Sequence, residues 1–328
     1  MKTAIIGFGF MGRLHAANLL KTAGAELAAI VDKTPPADLL RVPGGNFTTT
    51  AADAKIISRI PYFADLVSGL EAIRPEAVVI CLPTFLHYAT TKLCLEHGCH
   101  VLLEKPICLE LAQAEEMISL SKAKARTFMV AHCLRFFPEY EFLKQTITSH
   151  RLGQLKLLKM LRLSGVPSWG CWQDTQVKAT CGGALFDLLI HDIDFLHDTL
   201  GPPDKIWNSP PLLAAFRGNY INSTWEYAAS GIVAMIEGGN CFPPQRPFEG
   251  GFSGVFENGA ILYRSSEPGK VKIFTAEQEE IKDLSGEQCG YLKELEYFLD
   301  CAGSGKYPER CPPEDAVTAI RLGYQHLD

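Results

Sequence analysis

Asp187 and His191 stand four residues apart in the helical pattern Ala184 to Leu200. A carboxylate and an imidazole one helical turn apart share a face, and such a pair can move a proton near neutral pH. The same spacing suits a local helix pair with the histidine satisfied in the core, and by spacing alone that is the simpler account. A second group is Lys105, in Glu104-Lys105-Pro106 directly after the apolar run His100 to Leu103. Its ammonium could polarise an oxygen that gains charge during a reaction. Taken alone, Glu104-Lys105 is most often a solvated surface pair. A third feature is Gly7-Phe8-Gly9-Phe10-Met11-Gly12, set between an apolar run and a helical pattern.

In that glycine motif each position has a physical task. Gly7 permits a tight turn, Gly9 lets backbone approach a pyrophosphate, and Gly12 lets the helix lie close to the strand, while free N–H groups at the helix start, including those of Phe10 and Met11, attract the anion. Twenty residues past Gly12, Asp32 ends a second strand, where a carboxylate accepts hydrogen bonds from a ribose hydroxyl pair. Strand, turn, helix and acid agree on a dinucleotide site. A carboxylate there repels a 2′-phosphate, so NAD(H) is expected to be preferred, with NADP(H) disfavoured and not absolutely excluded because Lys33 is adjacent.

The elements that must hold these groups fall into two regions. Residues 1–131 alternate short apolar runs (Lys2 to Ile6, Glu26 to Val31, Ala77 to Cys81, His100 to Leu103, Thr127 to Ala131) with helical patterns, which predicts an α/β parallel sheet with crossover helices. In such a sheet the ligand crevice lies at the carboxyl ends of the strands, so Pro83, Thr84, His87, Glu104 and Lys105 should border one site. Residues 33–61, with Pro35-Pro36 and Gly44-Gly45, read as irregular or partly helical. From 132 to 328 the rhythm changes: a helix from Pro138, a long strand Gln154 to Ser164, a helix Ala184 to Leu200, strand-like runs in meander order, and two terminal helices. That predicts an α+β domain with a mostly antiparallel open sheet.

Composition narrows the function classes. The 328 residues carry a formal net charge of −6, so no overall positive field exists to hold nucleic acid or anionic lipid. No run reaches the roughly 18 apolar residues of a membrane span, and the N-terminus reads as a buried first strand, not a leader. Eleven cysteines without a C-x-x-C pair argue against a zinc site or a disulfide framework and for reduced thiols in a cytoplasmic protein. No metal is expected.

In combination, the glycine turn, the Glu104-Lys105-Pro106 turn and Gly182-Gly183-x3-Asp187-x3-His191 resemble the glucose-fructose oxidoreductase, inositol dehydrogenase and MocA (Gfo/Idh/MocA) family over nearly the whole chain. The resemblance implies an N-terminal Rossmann domain, a substrate-binding and oligomerisation domain after it, and hydride transfer between nicotinamide and a hydroxyl or carbonyl carbon of a sugar, cyclitol or related polyol in the cleft between them. It implies Lys105 as active-site lysine, Asp187 as substrate-side carboxylate, His191 as proton donor or acceptor, and a cis peptide before Pro106. Leu134-Arg135-Phe136-Phe137-Pro138 and Trp172 also resemble the family, which places Arg135 and Trp172 at the substrate, although Trp172 reads equally as a packing residue. Gln173, where several members carry arginine, and Cys181, where a third glycine is frequent, depart from the pattern and leave the substrate open. A homodimer or homotetramer through the C-terminal sheet is expected. The rival readings are a non-catalytic dinucleotide-sensing regulator of the same fold and an NAD-dependent glycoside hydrolase.

Overall fold

A computed structural model describes residues 1–35, 38, 50–167, 180–216 and 218–327. These divide into two compact units, Met1–Ala131 with Tyr291–Val317, and His132–Gly290 with Thr318–Asp328.

The first unit is a six-stranded sheet in the order β3-β2-β1-β4-β5-β6, formed by β1 (Lys2–Ile6), β2 (Glu26–Val31), β3 (Tyr62–Phe63), β4 (Ala77–Ile80), β5 (His100–Glu104) and β6 (Phe128–Ala131). Every pairing is parallel. Ile5, Ile30, Val78, Val79, Ile80, Val101, Leu102 and Leu103 are fully buried, as strands covered on both faces require. The strand order reverses between β1 and β4, and the carboxyl ends of the strands at such a switch point are where a parallel sheet generally binds its ligand. The glycine turn joins β1 to helix α1 (Phe10–Leu19) there. Strand β3, only two residues long, carries too little pattern to be read from sequence.

The segment Tyr291–Val317 packs with this unit and not with the second region to which the sequence reading assigned it. Leu295 and Phe298 are fully buried, the Cys311 thiol donates to the Val130 carbonyl, and Lys122 pairs with Glu314 at 2.7 Å. The segment is therefore tied to elements nearly two hundred residues earlier in the chain, which no local pattern reveals.

The second unit holds an eight-stranded sheet in the order β14-β13-β12-β11-β7-β10-β9-β8. Its strands are β7 (Leu155–Gly165), β8 (Lys205–Asn208), β9 (Tyr220–Tyr227), β10 (Ile232–Phe242), β11 (Glu249–Phe256), β12 (Gly259–Arg264), β13 (Lys270–Phe274) and β14 (Glu279–Asp283). The sheet is mostly antiparallel, but the expected plain meander is interrupted: β7 inserts between β11 and β10 and runs parallel to β10. Register explains the core. Trp225, Ala234, Leu158, Ile261 and Ile273 lie in one cross-strand row and are all buried.

The helix expected over Ala184 to Leu200 is two structures, a π-helical turn Leu185–Leu189 followed by an α-helix Ile190–Leu200. Gly182 and Gly183 precede it with φ of 81° and 65°, left-handed values that explain why two glycines stand there.

Candidate active site

At the switch point the backbone fits a dinucleotide. Gly7 has φ 87°, and a Cβ there would stand 2.5 Å from the Cys81 carbonyl oxygen, while one on Gly12 would collide with the Gly7 carbonyl. Around Gly9 nothing lies within 4 Å of the Cβ position, so the approach to the start of α1 is open. Phe10 and Met11, half-buried, form the first turn of that helix. Asp32 is fastened to the turn: Phe8 N donates to one carboxylate oxygen at 2.7 Å, and Thr34 N to the other at 2.8 Å. Each oxygen keeps a lone pair for a ribose hydroxyl. A nicotinamide dinucleotide would therefore be held by the glycine turn, the α1 N-terminus and Asp32.

Two further turns close the same end of the sheet. After β4, Pro83 leads into the 3-10 turn Thr84–Leu86, with Thr84 buried. Strand β5 ends at Glu104, and half-buried Lys105 and a cis Lys105-Pro106 bond follow. His87 ties these two turns together, with Nδ1 2.8 Å from the Pro106 carbonyl and Nε2 2.8 Å from the Leu82 carbonyl. Burial depresses its basicity against the opposing pull of those carbonyls. Both ring nitrogens are engaged inside the protein, so His87 braces the site and does not reach a ligand, a correction to the expected cofactor contact. Glu104 is likewise turned inward. One oxygen lies 2.9 Å from His15 Nε2 and the other accepts from Lys105 N at 3.3 Å. Burial opposes ionisation of Glu104, but the bond to His15 and the nearby Lys105 charge hold its carboxyl below the usual range.

In the second unit Asp187 sits within the π-helical turn and His191 is the second residue of the α-helix after it, both half-buried. The two span a change of helical pitch, not one regular face. π-turns inside helices recur at functional sites because they re-aim side chains. The Cys133 thiol lies 3.8 Å from His191 Nδ1.

Arg135 does not serve the expected substrate contact. Its guanidinium, 2% exposed, makes a bidentate pair with Asp194 at 2.9 and 2.7 Å, and its remaining nitrogen lies 3.4 Å from Asp198. A parallel pair forms between Arg162 and Asp192, at 2.8 and 3.0 Å. Trp172 lies outside the described residues. Sequence reasoning missed His15, Arg162, Asp192 and Asp194. The signal available was chemical: charged groups inside largely apolar helical or strand stretches need partners.

Comparison with known proteins agrees with the fold. The model of an oxidoreductase family with an NAD-binding Rossmann fold matches residues 1–132, and that of the GFO/IDH/MocA C-terminal domain matches residues 140–211. A D-glucoside 3-dehydrogenase of Escherichia coli is 30% identical over 206 residues, 62% of this chain and 55% of that protein. A myo-inositol 2-dehydrogenase of Thermotoga maritima is 23% identical over 99% of this chain and 94% of its own length. The alignments span about half the length of the first curated relatives. The solved UDP-N-acetylglucosamine 3-dehydrogenase of Acidithiobacillus ferrooxidans superposes with a TM-score of 0.78 at 21% identity, covering 99% of this chain and 96% of that one. No helix among the described residues is long and apolar enough to cross a membrane. The chain belongs to the Gfo/Idh/MocA family of oxidoreductases.

Proposed function

We propose that this chain is a nicotinamide-dependent dehydrogenase that acts on a secondary hydroxyl, or the matching ketone, of a sugar, cyclitol or related polyol, with NAD(H) preferred. The observation that carries this reading is the convergence of the glycine turn, Asp32 and the Lys105 turn at the carboxyl ends of β1, β2 and β5. Bound nicotinamide would supply or accept the hydride. Lys105 would hold the reacting oxygen through its ammonium, which favours the alkoxide-like charge that develops there. His191 would take the hydroxyl proton or return it, and Asp187 would orient the substrate or the imidazole. The relatives named for glucosides, inositol and UDP-sugars support a ring carbinol as substrate class.

A screen of D-glucosides, inositols and UDP-hexoses with NAD, followed by NADH absorbance, tests the reading. Activity on one of these classes is expected. Glycoside cleavage without net NADH production would move the assignment to a hydrolase, and nucleotide binding with no turnover on any of them would move it to a sensor.

The same proposal includes self-association through the open sheet. Register places Trp207, Met235, Leu262 and Ile281 in one cross-strand row, alternating with Thr224, Lys159, Ser253 and Lys272, on the face opposite Trp225. Trp207 is 49% and Ile281 53% exposed, and Val255 on the same face is exposed as well. Apolar surface of this kind suits an isologous homodimer or a homotetramer. A monomer by light scattering at micromolar concentration would refute it.

A further inference from the structure

The dinucleotide turn lies at the carboxyl ends of the first sheet's strands, and the opposite edge of that sheet holds a hollow with chemistry of its own. At the amino ends of β4 and β5 a space of about 840 Å³ is lined by Arg74, His97, His100 and Arg126, with Leu70 and Cys99 among its walls. Small-molecule sites generally occupy about 300–1,000 Å³.

Two hydrogen-bond donors face each other in this lining. His100 Nδ1 accepts the backbone N–H of Thr127 at 3.0 Å. A neutral imidazole has a single acceptor nitrogen, so its proton stands on Nε2. Nε2 lies 3.4 Å from Nη1 of Arg126, and a guanidinium can only donate. Burial, and after it the Arg126 charge, hold the ring below its ordinary basicity against the pull of Glu76. An acceptor placed between the two nitrogens would satisfy both.

Arg74 adds a second guanidinium to the same lining, at the end of the helix Leu66–Ile73. Cations at helix C-termini often serve the helix dipole. Among the described residues, however, neither the Arg74 nor the Arg126 side chain bonds a terminal carbonyl. The acids of the lining are Glu71 and Glu76. One Glu76 oxygen accepts from Lys2 N at 2.6 Å, and among the described residues neither acid pairs with either guanidinium or with His100. No three His, Cys, Asp or Glu side chains among the described residues are grouped to hold a metal ion, so His97, Cys99 and His100 do not form a metal site.

We infer that this hollow binds a phosphoryl group, with Arg126 and His100 Nε2 donating to its oxygens and Arg74 supplying the further positive charge. Three separate donor groups suit an anion with three acceptor oxygens better than a carboxylate with two, and a guanidinium matches phosphate in a bidentate fork. A bare ion fills a small part of the space, so the volume fits a phosphorylated molecule of sugar-phosphate size.

Isothermal titration calorimetry of the full-length protein tests this, with NADH present in excess so that the dinucleotide turn is filled. Inorganic phosphate and glucose 6-phosphate are titrated at constant ionic strength. Both should bind, and Arg126→Gln should weaken each about tenfold, the loss of one charge-assisted hydrogen bond at an open site. Tighter binding of glucose 6-phosphate assigns an ester and equal constants assign the free ion, and either supports the site. In protein carrying 13C-labelled histidine, phosphate should move the His100 resonance and leave that of His326 in place. Absence of phosphate binding, an unchanged constant in Arg126→Gln, or a His100 resonance that ignores bound phosphate overturns the proposal. Both arginine side chains are exposed, so the variants should fold. Should Arg126→Gln melt early by circular dichroism, Arg74→Gln takes its place: weaker phosphate binding there supports the site, and an unchanged constant overturns it.

Discussion

Arg135→Met separates a structural arginine from a substrate-binding one. Methionine keeps the length and apolar stem but leaves the Asp194 carboxylate, fully excluded from water, without its bidentate partner. Breaking a buried pair from one side costs about 3–5 kcal/mol. An independent bound agrees, because a stranded carboxylate can always escape by taking up a proton. At pH 7 that escape lies about three pH units from an ordinary aspartate and so costs about 4 kcal/mol. His132, with Nδ1 3.6 Å from Asp194, can compensate a little. For a protein of this size, about 2–4 °C per kcal/mol translates the loss into a melting temperature lower by roughly 8–15 °C. Melting is followed by circular dichroism, and turnover is measured per folded molecule below the transition. We expect the large thermal loss with a nearly unchanged KM, and the pair Arg135→Met with Asp194→Leu should recover most of the stability. A variant that melts like the wild type while its KM rises manyfold would refute this reasoning and restore Arg135 to the substrate site.

His326 is buried between the Trp225 indole, which donates to Nε2 at 3.1 Å, and the Leu322 carbonyl 2.8 Å from Nδ1, and burial pushes its ionisation down to about 4. The fold holds the neutral ring, so this contribution is complete above about pH 6.5 and is lost as pH falls through about 4, amounting to roughly 3 kcal/mol. Urea denaturation at pH 7.5 and 4.5 should show a smaller acid loss for His326→Gln than for the wild type, and equal losses would exclude the linkage. Asp32→Ala should weaken NADH binding and narrow its advantage over NADPH in fluorescence titrations, whereas a wild-type protein that binds NADPH as tightly as NADH would contradict the assignment of Asp32. His191→Ala should lower turnover about a hundredfold to ten-thousandfold and flatten one limb of the pH–rate profile. Normal turnover per folded molecule in that variant would remove His191 from the reaction.

Legibility in the sequence followed the range of the interactions. The glycine turn, β1, β2 and Asp32 are local, since thirty consecutive residues carry strand pattern, turn chemistry and helix start together. The parallel pairing of β7 with β10 is not local: nothing in Leu155–Gly165 says which edge of a neighbour it will meet, because register and partner are settled across the sheet. Glu279–Asp283 reads Glu-Glu-Ile-Lys-Asp, with too little alternation for an exposed edge strand to be noticed. The π-helical turn at Leu185–Leu189 was hidden because apolar spacing there fits an ordinary helix. Arg135 was misassigned for a related reason. Residue type announces that a guanidinium needs an anion, but only the fold shows that Asp194, 59 positions later, already supplies it.

Charge placement on the helix Ile190–Leu200 bears on how His191 is aimed. Directly after His191 the chain buries Asp192 against Arg162 and then Asp194 against Arg135, each by two parallel hydrogen bonds. Such pairs add little net stability, since desolvation opposes the Coulomb gain, and Asp192 is indeed pushed toward its neutral form by burial despite its partner. Their geometry is restrictive, however, because a planar fork accepts a carboxylate in few orientations. Apolar contacts from Ile190, Ile193 and Leu196 would tolerate a helix rotated by some degrees, whereas two forks on different sides of it do not. The expected consequence is a separation of stability from activity. Replacing Arg162 and Asp192 together by methionine and leucine should leave the melting temperature within a few degrees of wild type, while turnover falls severalfold with KM for the cofactor unchanged. Full turnover in that double variant would mean that packing alone aims His191.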